Sequence, residues 1–156
     1  MKITTKTGDQ GSTDVRNQRL EKDHPLIGTL GLIDEVMASF IYAQANYPEK
    51  LDEFKDRVQE LVLMSAIIAG YKTIDAFKQE FITNLETTID AVQHLDLDWY
   101  YPFNDVYRAT LNVLRTQVRK MERSIIATFK ETTDYPIIRI YVNRLSDYIF
   151  ALMNKV

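Results

Sequence analysis

The sequence predicts an all-α protein: an up-and-down bundle of four to five helices, ferritin-like in architecture, behind an ordered N-terminal loop. Long apolar stripes at helical spacing carry this prediction, together with few helix breakers, since the 156 residues include only four prolines and five glycines. A helix with one continuous apolar face needs antiparallel neighbours that cover it. We expect a single domain over 1–156, with the loop over 1–22 and the bundle over 23–156.

The N-terminal loop is polar and rich in residues that can contact an anion. Residues 1–22 contain four threonines and two glycines and no helical apolar stripe, and we expect one short strand over 2–5. Within TKTGDQGST, over 5–13, glycines allow backbone amides to turn toward an anion beside a lysine and several hydroxyls. A plain surface turn is the alternative, and composition alone favours it.

The first three helices are bounded by capping residues and helix breakers. Asp23 is the predicted N-cap of the first helix, and Pro48 ends it. The second helix is expected over 51–69, where Gly70 stops it, and the third over 74–95. The predicted core face of the first helix consists of Leu26, Leu30, Ile33, Met37 and Phe40.

The last two helices carry the strictest apolar stripes. A connector over 96–103, with three adjacent aromatics and a proline, precedes them. Asn104 is the predicted cap of the fourth helix, and Asp134 with Pro136 opens the fifth. The core faces are Leu111, Leu114, Val118, Met121 and Ile125 in the fourth helix, and Ile138, Tyr141, Leu145, Tyr148 and Leu152 in the fifth. Such stripes favour antiparallel packing of the two helices.

Composition excludes several classes of protein. The chain has no cysteine, which excludes a disulfide scaffold, a zinc finger and thiol catalysis and fits the reducing cytoplasm. A net charge of −3 argues against nonspecific nucleic-acid binding. The polar start carries no secretory signal, and we see no stretch able to span a bilayer, so we expect no membrane partner. His24 and His94 fit capping or surface roles, and no protein metal site is expected.

The fourth helix carries a polar stripe beside its buried face. Arg115, Arg119 and Glu122 follow one another at steps of four and three residues, with Arg123 next to them. Guanidinium groups in this arrangement can hold a polyphosphate through paired, planar hydrogen bonds. The alternative is a solvated helix flank with weak ion pairs, which the pattern alone favours.

Further polar residues border the core on the first and fifth helices. Asn143, Arg144 and Asp147 share one side of the fifth helix. Asn143 could bond a ligand, and Asp147 could orient Arg144 or hold magnesium through water, with an intrahelical ion pair as the alternative. Asp34 lies on the margin of the first core face, where a carboxylate usually has a cationic partner.

Taken in order, these segments resemble the ATP:cob(I)alamin adenosyltransferase family, in the branch built as a trimer of five-helix subunits. TKTGDQGST resembles the family's TKTGDxGTT, RLEKD over 19–23 its RVxKD-like segment, and GLIDEV over 31–36 its GTxDEL. RTQVRKMER over 115–123 resembles RxxxRRAER, and VNRLSDYIF over 142–150 resembles LNRLSDYLF. Several separated motifs in the right order make the resemblance specific.

The resemblance implies a reaction, co-substrates and an assembly. The 5′-deoxyadenosyl group of ATP, with Mg²⁺ on its phosphates, passes to the cobalt of cob(I)alamin, and triphosphate is released. Because cobalt is the nucleophile, the protein needs no base, and its work is positional and electrostatic. A homotrimer with nucleotide sites between subunits is implied. The implied ATP-binding residues are Thr5, Lys6, Thr7, Gly8, Ser12, Thr13, Lys22, Arg119, Glu122, Arg123 and Asn143.

The resemblance also covers 99–115, the segment implied to lie beside the corrin, where several residues differ from the family pattern. Asp34 and Arg115 match the family's ion pair beside the corrin and, with Arg119, are the implied catalytic residues. Trp99 replaces a phenylalanine that helps to exclude the lower axial base.

Three substitutions stand in the same segment: PFN over 102–104 replaces the usual PGG, Arg108 a small residue, and Asn112 a histidine. They leave open a second possibility, a non-catalytic relative that stores, delivers or senses ATP or a corrinoid. A plain helical interaction protein is the third.

Overall fold

The computed structural model describes residues 1–129 and 135–155, and within them it shows five helices and one hairpin. In chain order these are β1 (Ser12–Val15), β2 (Gln18–Glu21), α1 (Pro25–Asn46), α2 (Phe54–Ile68), α3 (Gln79–Gln93), α4 (Val106–Thr128) and α5 (Pro136–Asn154), with a 3-10 turn over Ile74–Ala76 before α3. The predicted all-α bundle is confirmed.

The helices pack in the spatial order α2, α1, α4, α5, α3. All ten apolar residues predicted to face the core from α4 and α5 are buried. In α1 the fully buried line is shifted: Leu26, Leu30 and Met37 are only half-buried, and Thr29 and Val36 lie inside instead. The reason is that α1 packs against both α2 and α4, so its buried face lies between the two contacts rather than along one stripe.

The N-terminal segment forms a hairpin, and the predicted strand over 2–5 is wrong. Ser12–Val15 pairs antiparallel with Gln18–Glu21, whereas 2–5 is exposed and has no strand partner in the described part of the chain. Arg16 lies in the turn with φ of 56°. Its N–H donates to the Tyr71 hydroxyl at 2.6 Å, so the hairpin tip is attached to the end of α2.

Two predicted caps differ from the observed ones by one residue. His24, not Asp23, caps α1, because its Nδ1 accepts a hydrogen bond from the Leu26 N–H at 3.1 Å. Asp105, not Asn104, caps α4 by accepting from the Arg108 N–H at 3.0 Å. Both residues have the extended backbone that a cap requires.

Other boundaries follow from backbone conformation. Gly70, with φ of 88°, follows the end of α2 as predicted. The third helix begins at Gln79 rather than at position 74, because the 3-10 turn places Phe77 in the core against the Tyr141 ring. The predicted start at Asp134 lies outside the described residues, and α5 begins at Pro136.

The helix Pro25–Asn46 has the length and apolar composition of a membrane-spanning helix, contrary to our reading of the sequence. Core helices of bundles meet the same criterion. Here Ile33, Val36 and Phe40 are buried against neighbouring helices of the chain, whereas Ile41 and Tyr42 are exposed, so burial within the chain accounts for only part of the apolar composition of α1.

A buried ion pair within α2 is connected to α5 by a hydrogen bond. Nη2 of Arg57 lies 2.8 Å from Oε2 of Glu60, and the Tyr141 hydroxyl donates to Oε1 of Glu60 at 2.9 Å. The side chains of Arg57 and Glu60 are only 5% and 6% exposed. Burial and the neighbouring Glu60 raise the pKa of Tyr141 well above its ordinary value, so its hydroxyl remains a donor.

We expect Glu60→Ala to lower the free energy of unfolding by about 3 kcal/mol or more, because it leaves Arg57 buried without a counter-charge. Urea titration followed by circular dichroism measures the loss. The double variant Arg57→Met, Glu60→Leu should recover most of it, since an apolar pair has no charge to desolvate.

The chain contains a matched control for this experiment. Lys55 and Asp52 have the same spacing and a 2.9 Å contact, but their side chains are 66% and 69% exposed. Asp52→Ala should leave the unfolding midpoint unchanged, because solvent screens exposed pairs. Equal losses for the two variants would contradict the assignment of the stability to burial.

Candidate functional site: the cleft between α4 and α5

A cleft of about 150 Å³ lies between the outer flanks of α4 and α5. Its lining residues are Trp99, Arg115, Arg119, Ser146, Asp147 and Phe150. The apolar stripes of the two helices meet in the core, so the polar residues that border each stripe face each other outside it. The polar stripe of α4 and the polar side of α5 are therefore brought together, as a ligand site requires.

Trp99 lies at this cleft and outside the bundle core. Its ring is 46% exposed and stacks on Phe150, with centroids 5.7 Å apart and planes inclined by 15°. Tyr101 meets its edge at 6.1 Å. The guanidinium carbon of Arg115 lies 4.5 Å from the centre of the indole, which is a cation–π distance.

Arg115 is bound by a neutral residue rather than a carboxylate. Its Nε and Nη2 donate to Oδ1 of Asn112 at 3.2 and 3.1 Å. Partial burial and the nearby cation of Arg119 lower the pKa of Arg115, and no carboxylate opposes this effect. The guanidinium therefore presents an unneutralised positive charge to the cleft.

The expected pairing of Asp34 with Arg115 is not formed within one chain. Among residues 1–129 and 135–155, no ion pair within 4.0 Å involves Asp34, and the residue is exposed. Asp34 precedes by seven residues Ile41, which lines the groove between α1 and α2. Residues seven apart share a helix face, so Asp34 lies on the α2 side of α1, whereas Arg115 faces α5.

Asp147 faces the cations of the cleft. Burial raises the pKa of this carboxyl, and Arg144 and Arg119 oppose the rise. Arg144 does not form its ion pair with Asp147 on the same helix. Instead, Nε of Arg144 lies 3.2 Å from Oε1 of Glu86 on α3. Asp147 is thus left to interact with the cleft.

Farther along α4, Glu122 has an unusual carboxylate. Its Oε2 is buried and has no hydrogen-bond partner in the structure. Arg123, the next residue on α4, is exposed, and so is Asn143 on α5. The described residues contain no group of three potential metal ligands, so this part of the molecule can offer a cation one carboxylate but not a complete coordination shell.

The hairpin brings several predicted nucleotide ligands together. The hydroxyls of Thr5 and Thr7 are 3.0 Å apart. A side chain at Gly8 would come to 3.0 Å from Nζ of Lys22, so the end of the lysine side chain lies directly against the backbone of this turn. The Lys22 N–H donates to the Gly11 carbonyl at 2.8 Å, which closes the loop.

Arg19 supports the same loop from the second strand. Its guanidinium donates to the Thr7 carbonyl and lies 3.1 Å from Asp14. Lys6 has φ of 63°, and Ser12 and Thr13 begin β1 half-buried. The segment is an ordered cationic turn rather than an extended tail.

The predicted nucleotide ligands lie on two different elements of the chain. Lys6 and Lys22 belong to the N-terminal loop and hairpin, whose tip is attached beyond the end of α2 through the Tyr71 hydroxyl. Arg119 and Arg123 lie on α4, which packs against α1 and α5. The predicted nucleotide site thus has two halves, one on the hairpin and one on α4.

Comparison with known proteins accounts for this set of residues. The family model described as cobalamin adenosyltransferase matches residues 3–156. The chain belongs to this family. It is 32% identical to the corrinoid adenosyltransferase of Bacillus subtilis, with 97% of this chain and 84% of that protein covered. It is also 32% identical to a corrinoid adenosyltransferase of Citrobacter freundii, over 97% of this chain and 92% of the other.

A solved structure gives the same picture. It is a variant of the PduO-type ATP:corrinoid adenosyltransferase of Lactobacillus reuteri, complexed with cobalamin and ATP, and it aligns with a TM-score of 0.85 at 28% identity. The alignment covers 97% of this chain and 91% of that chain. The bundle of this family member therefore has the architecture of a known adenosyltransferase.

Sequence reasoning missed the contacts that hold the connector before α4. The Tyr100 hydroxyl and Nε of Arg108 both donate to the Met153 carbonyl, at 2.8 and 2.7 Å, and so satisfy the C-terminal end of α5. Asn104 has φ of 64°, so the left-handed conformation persists where the family has glycine. Free carbonyls at a helix end require donors, but the sequence does not identify the donor.

The attachment of the hairpin tip was also missed, and it generates a prediction. We expect Tyr71→Phe to remove the acceptor of the Arg16 N–H and to weaken ATP binding about two- to tenfold, the worth of one ordinary hydrogen bond. Calorimetry measures the affinity, and amide exchange of Arg16 should accelerate.

Tyr42→Phe serves as the control. Tyr42 is 67% exposed, and its hydroxyl has no hydrogen bond to any described residue. This variant should keep the wild-type affinity. Slow exchange of Arg16 in Tyr71→Phe would show that the hairpin does not depend on the tyrosine.

Proposed function

We propose that this protein is an ATP:corrinoid adenosyltransferase that transfers the 5′-deoxyadenosyl group of ATP to the cobalt of reduced cobalamin and releases triphosphate. The observation that carries the proposal is the α4–α5 cleft, where Arg115 and Arg119 lie beside the exposed indole of Trp99. Membership of the cobalamin adenosyltransferase family supports it across residues 3–156.

The reaction is a substitution at carbon 5′. Two electrons of Co(I) form the cobalt–carbon bond while the bond from C5′ to oxygen breaks, and the electron pair leaves with triphosphate. No side chain has to accept a proton. The protein must hold the two substrates in line and stabilise the charge that develops on the leaving group.

We assign the leaving triphosphate to cationic residues on both halves of the nucleotide site. Lys6 and Lys22 would bind it from the hairpin, and Arg119 and Arg123 from α4 through charge-assisted hydrogen bonds. Magnesium would be held mainly by the phosphates, as is usual for this ion, with Glu122 as the one buried carboxylate available to it.

The corrin side of the proposed site is formed by Trp99. Its half-exposed ring, stacked on Phe150, offers a flat apolar surface at the place where the resemblance implies the lower axial base is excluded. Burial of apolar surface against this ring would favour cobalt without a lower ligand.

A homotrimer explains why one chain holds the site in two halves. The hairpin of one subunit would meet α4 and α5 of its neighbour, and Asp34 would reach Arg115 across the same boundary. Apolar side chains on the outer faces of α1 and α4 support an interface, since Ile41 is 53% and Val113 58% exposed. A cysteine-free chain suits the reducing cytoplasm, where we place the reaction.

An anaerobic assay tests the proposal. The protein is mixed with ATP and chemically reduced cobalamin, and the visible spectrum reports the alkylated product. Formation of adenosylcobalamin with release of triphosphate is the expected result. Binding of ATP without product would instead favour a relative that stores or senses its ligand.

Arg119→Ala should lower the affinity or turnover of ATP on the order of tenfold or more, as expected for the loss of one charge-assisted hydrogen bond. Arg119→Lys should recover it only in part, because an ammonium cannot form the planar paired contact. Lys120→Ala removes an adjacent exposed cation and should change neither quantity. Normal turnover in Arg119→Ala would exclude the residue from the triphosphate site.

A further inference from the structure

Asn112 contacts Arg115 of the cleft, and neither the motif nor the reaction accounts for its role. It lies three residues before Arg115 on α4 and is half-buried. Its amide oxygen accepts two hydrogen bonds from Arg115, from Nε at 3.2 Å and from Nη2 at 3.1 Å. Two bonds to one acceptor restrict both the position and the tilt of the guanidinium plane.

The guanidinium that Asn112 holds is one of two helix-borne groups that contact the indole of Trp99. Arg115 on α4 lies 4.5 Å from the centre of the Trp99 ring, and Phe150 on α5 stacks on that ring at 5.7 Å. Trp99 belongs to the connector, which has no helix or strand. Contacts with residues of the two helices therefore hold the indole in place.

The acceptor is neutral, and this has an electrostatic consequence. A carboxylate at position 112 would bind Arg115 more strongly but would cancel its charge. The amide oxygen orients the guanidinium and leaves its positive charge available. In the described part of the chain, Nη1 of Arg115 makes no hydrogen bond, so three of the five guanidinium N–H groups, two of them on Nη1, remain for a ligand or a second subunit.

We propose that Asn112 is a positioning residue that holds Arg115 against Trp99, so that the indole is presented to the corrin in one position and the charge of Arg115 stays available to a group outside the chain. Asn112 acts through Arg115 and need not touch either substrate. The link to the corrin rests on the proposed function, whereas the positioning of the indole does not.

The position of the indole can be tested in the free protein, because Trp99 is the only tryptophan. Asn112→Ala should increase the acrylamide quenching constant of its fluorescence by up to about twofold, because loss of the cation–π contact exposes more of a residue that is already 46% exposed. Arg115→Ala should have the same effect. The double variant should match Arg115→Ala alone, since a residue that acts only through another adds nothing once that residue is gone.

Two variants distinguish the positioning role of Asn112 from an effect on folding and from an effect of charge. Asn112→Asp keeps the acceptor oxygen and should keep the wild-type quenching, but it should raise KM for the corrinoid because the charge is cancelled. Thr116→Ala, which removes an exposed hydroxyl bonded only to the Val113 carbonyl, should change neither. Circular dichroism verifies that each variant is folded.

The steady-state assay then connects the indole to the reaction. Asn112→Ala should raise KM for the corrinoid about two- to fivefold, which corresponds to the free energy of an exposed cation–π contact. KM for ATP should be unchanged. Unchanged quenching in Asn112→Ala, or a further increase in the Arg115→Ala background, would overturn the proposal. If wild-type protein forms no product, the proposed function fails, and the quenching cycle still decides the role of Asn112.

Discussion

The antiparallel packing of α4 against α5 is the contact on which the rest of the structure depends. Each helix buries a continuous apolar stripe, and each carries polar residues at the border of that stripe. When the stripes meet, the borders meet as well, so one packing event forms both the core and the cleft. Loss of this contact would remove the candidate site together with much of the stability, because buried apolar area is the main stabilising term.

Polar groups near the core are placed according to what they can bond. Both carboxylate oxygens of Glu60 are bonded inside the bundle, one to Arg57 and the other to Tyr141, so the burial of this carboxylate has a structural role. Glu122 is different, because its buried Oε2 has no partner. A buried oxygen without a partner is costly, and ligand binding is one way in which that cost is offset.

The side chains that depart from the family pattern on the corrin side form contacts within the chain. Asn104 adopts the left-handed conformation that a glycine would adopt. Arg108 bonds to the end of α5, and Asn112 holds Arg115, so both new side chains have partners within the chain. The departures from the family pattern are therefore accommodated, and the aromatic stack at the cleft is supported by them.

The sequence by itself determined the helical stripes of α4 and α5 and the stop at Gly70, because each follows from local spacing along one chain. Only the tertiary structure decided which neighbour each face meets. Asp34 lies on the α2 side of its helix, and Arg144 pairs with Glu86 rather than with a residue of its own helix. A period of about 3.6 residues defines a helix face, but it carries no information about the element that packs there.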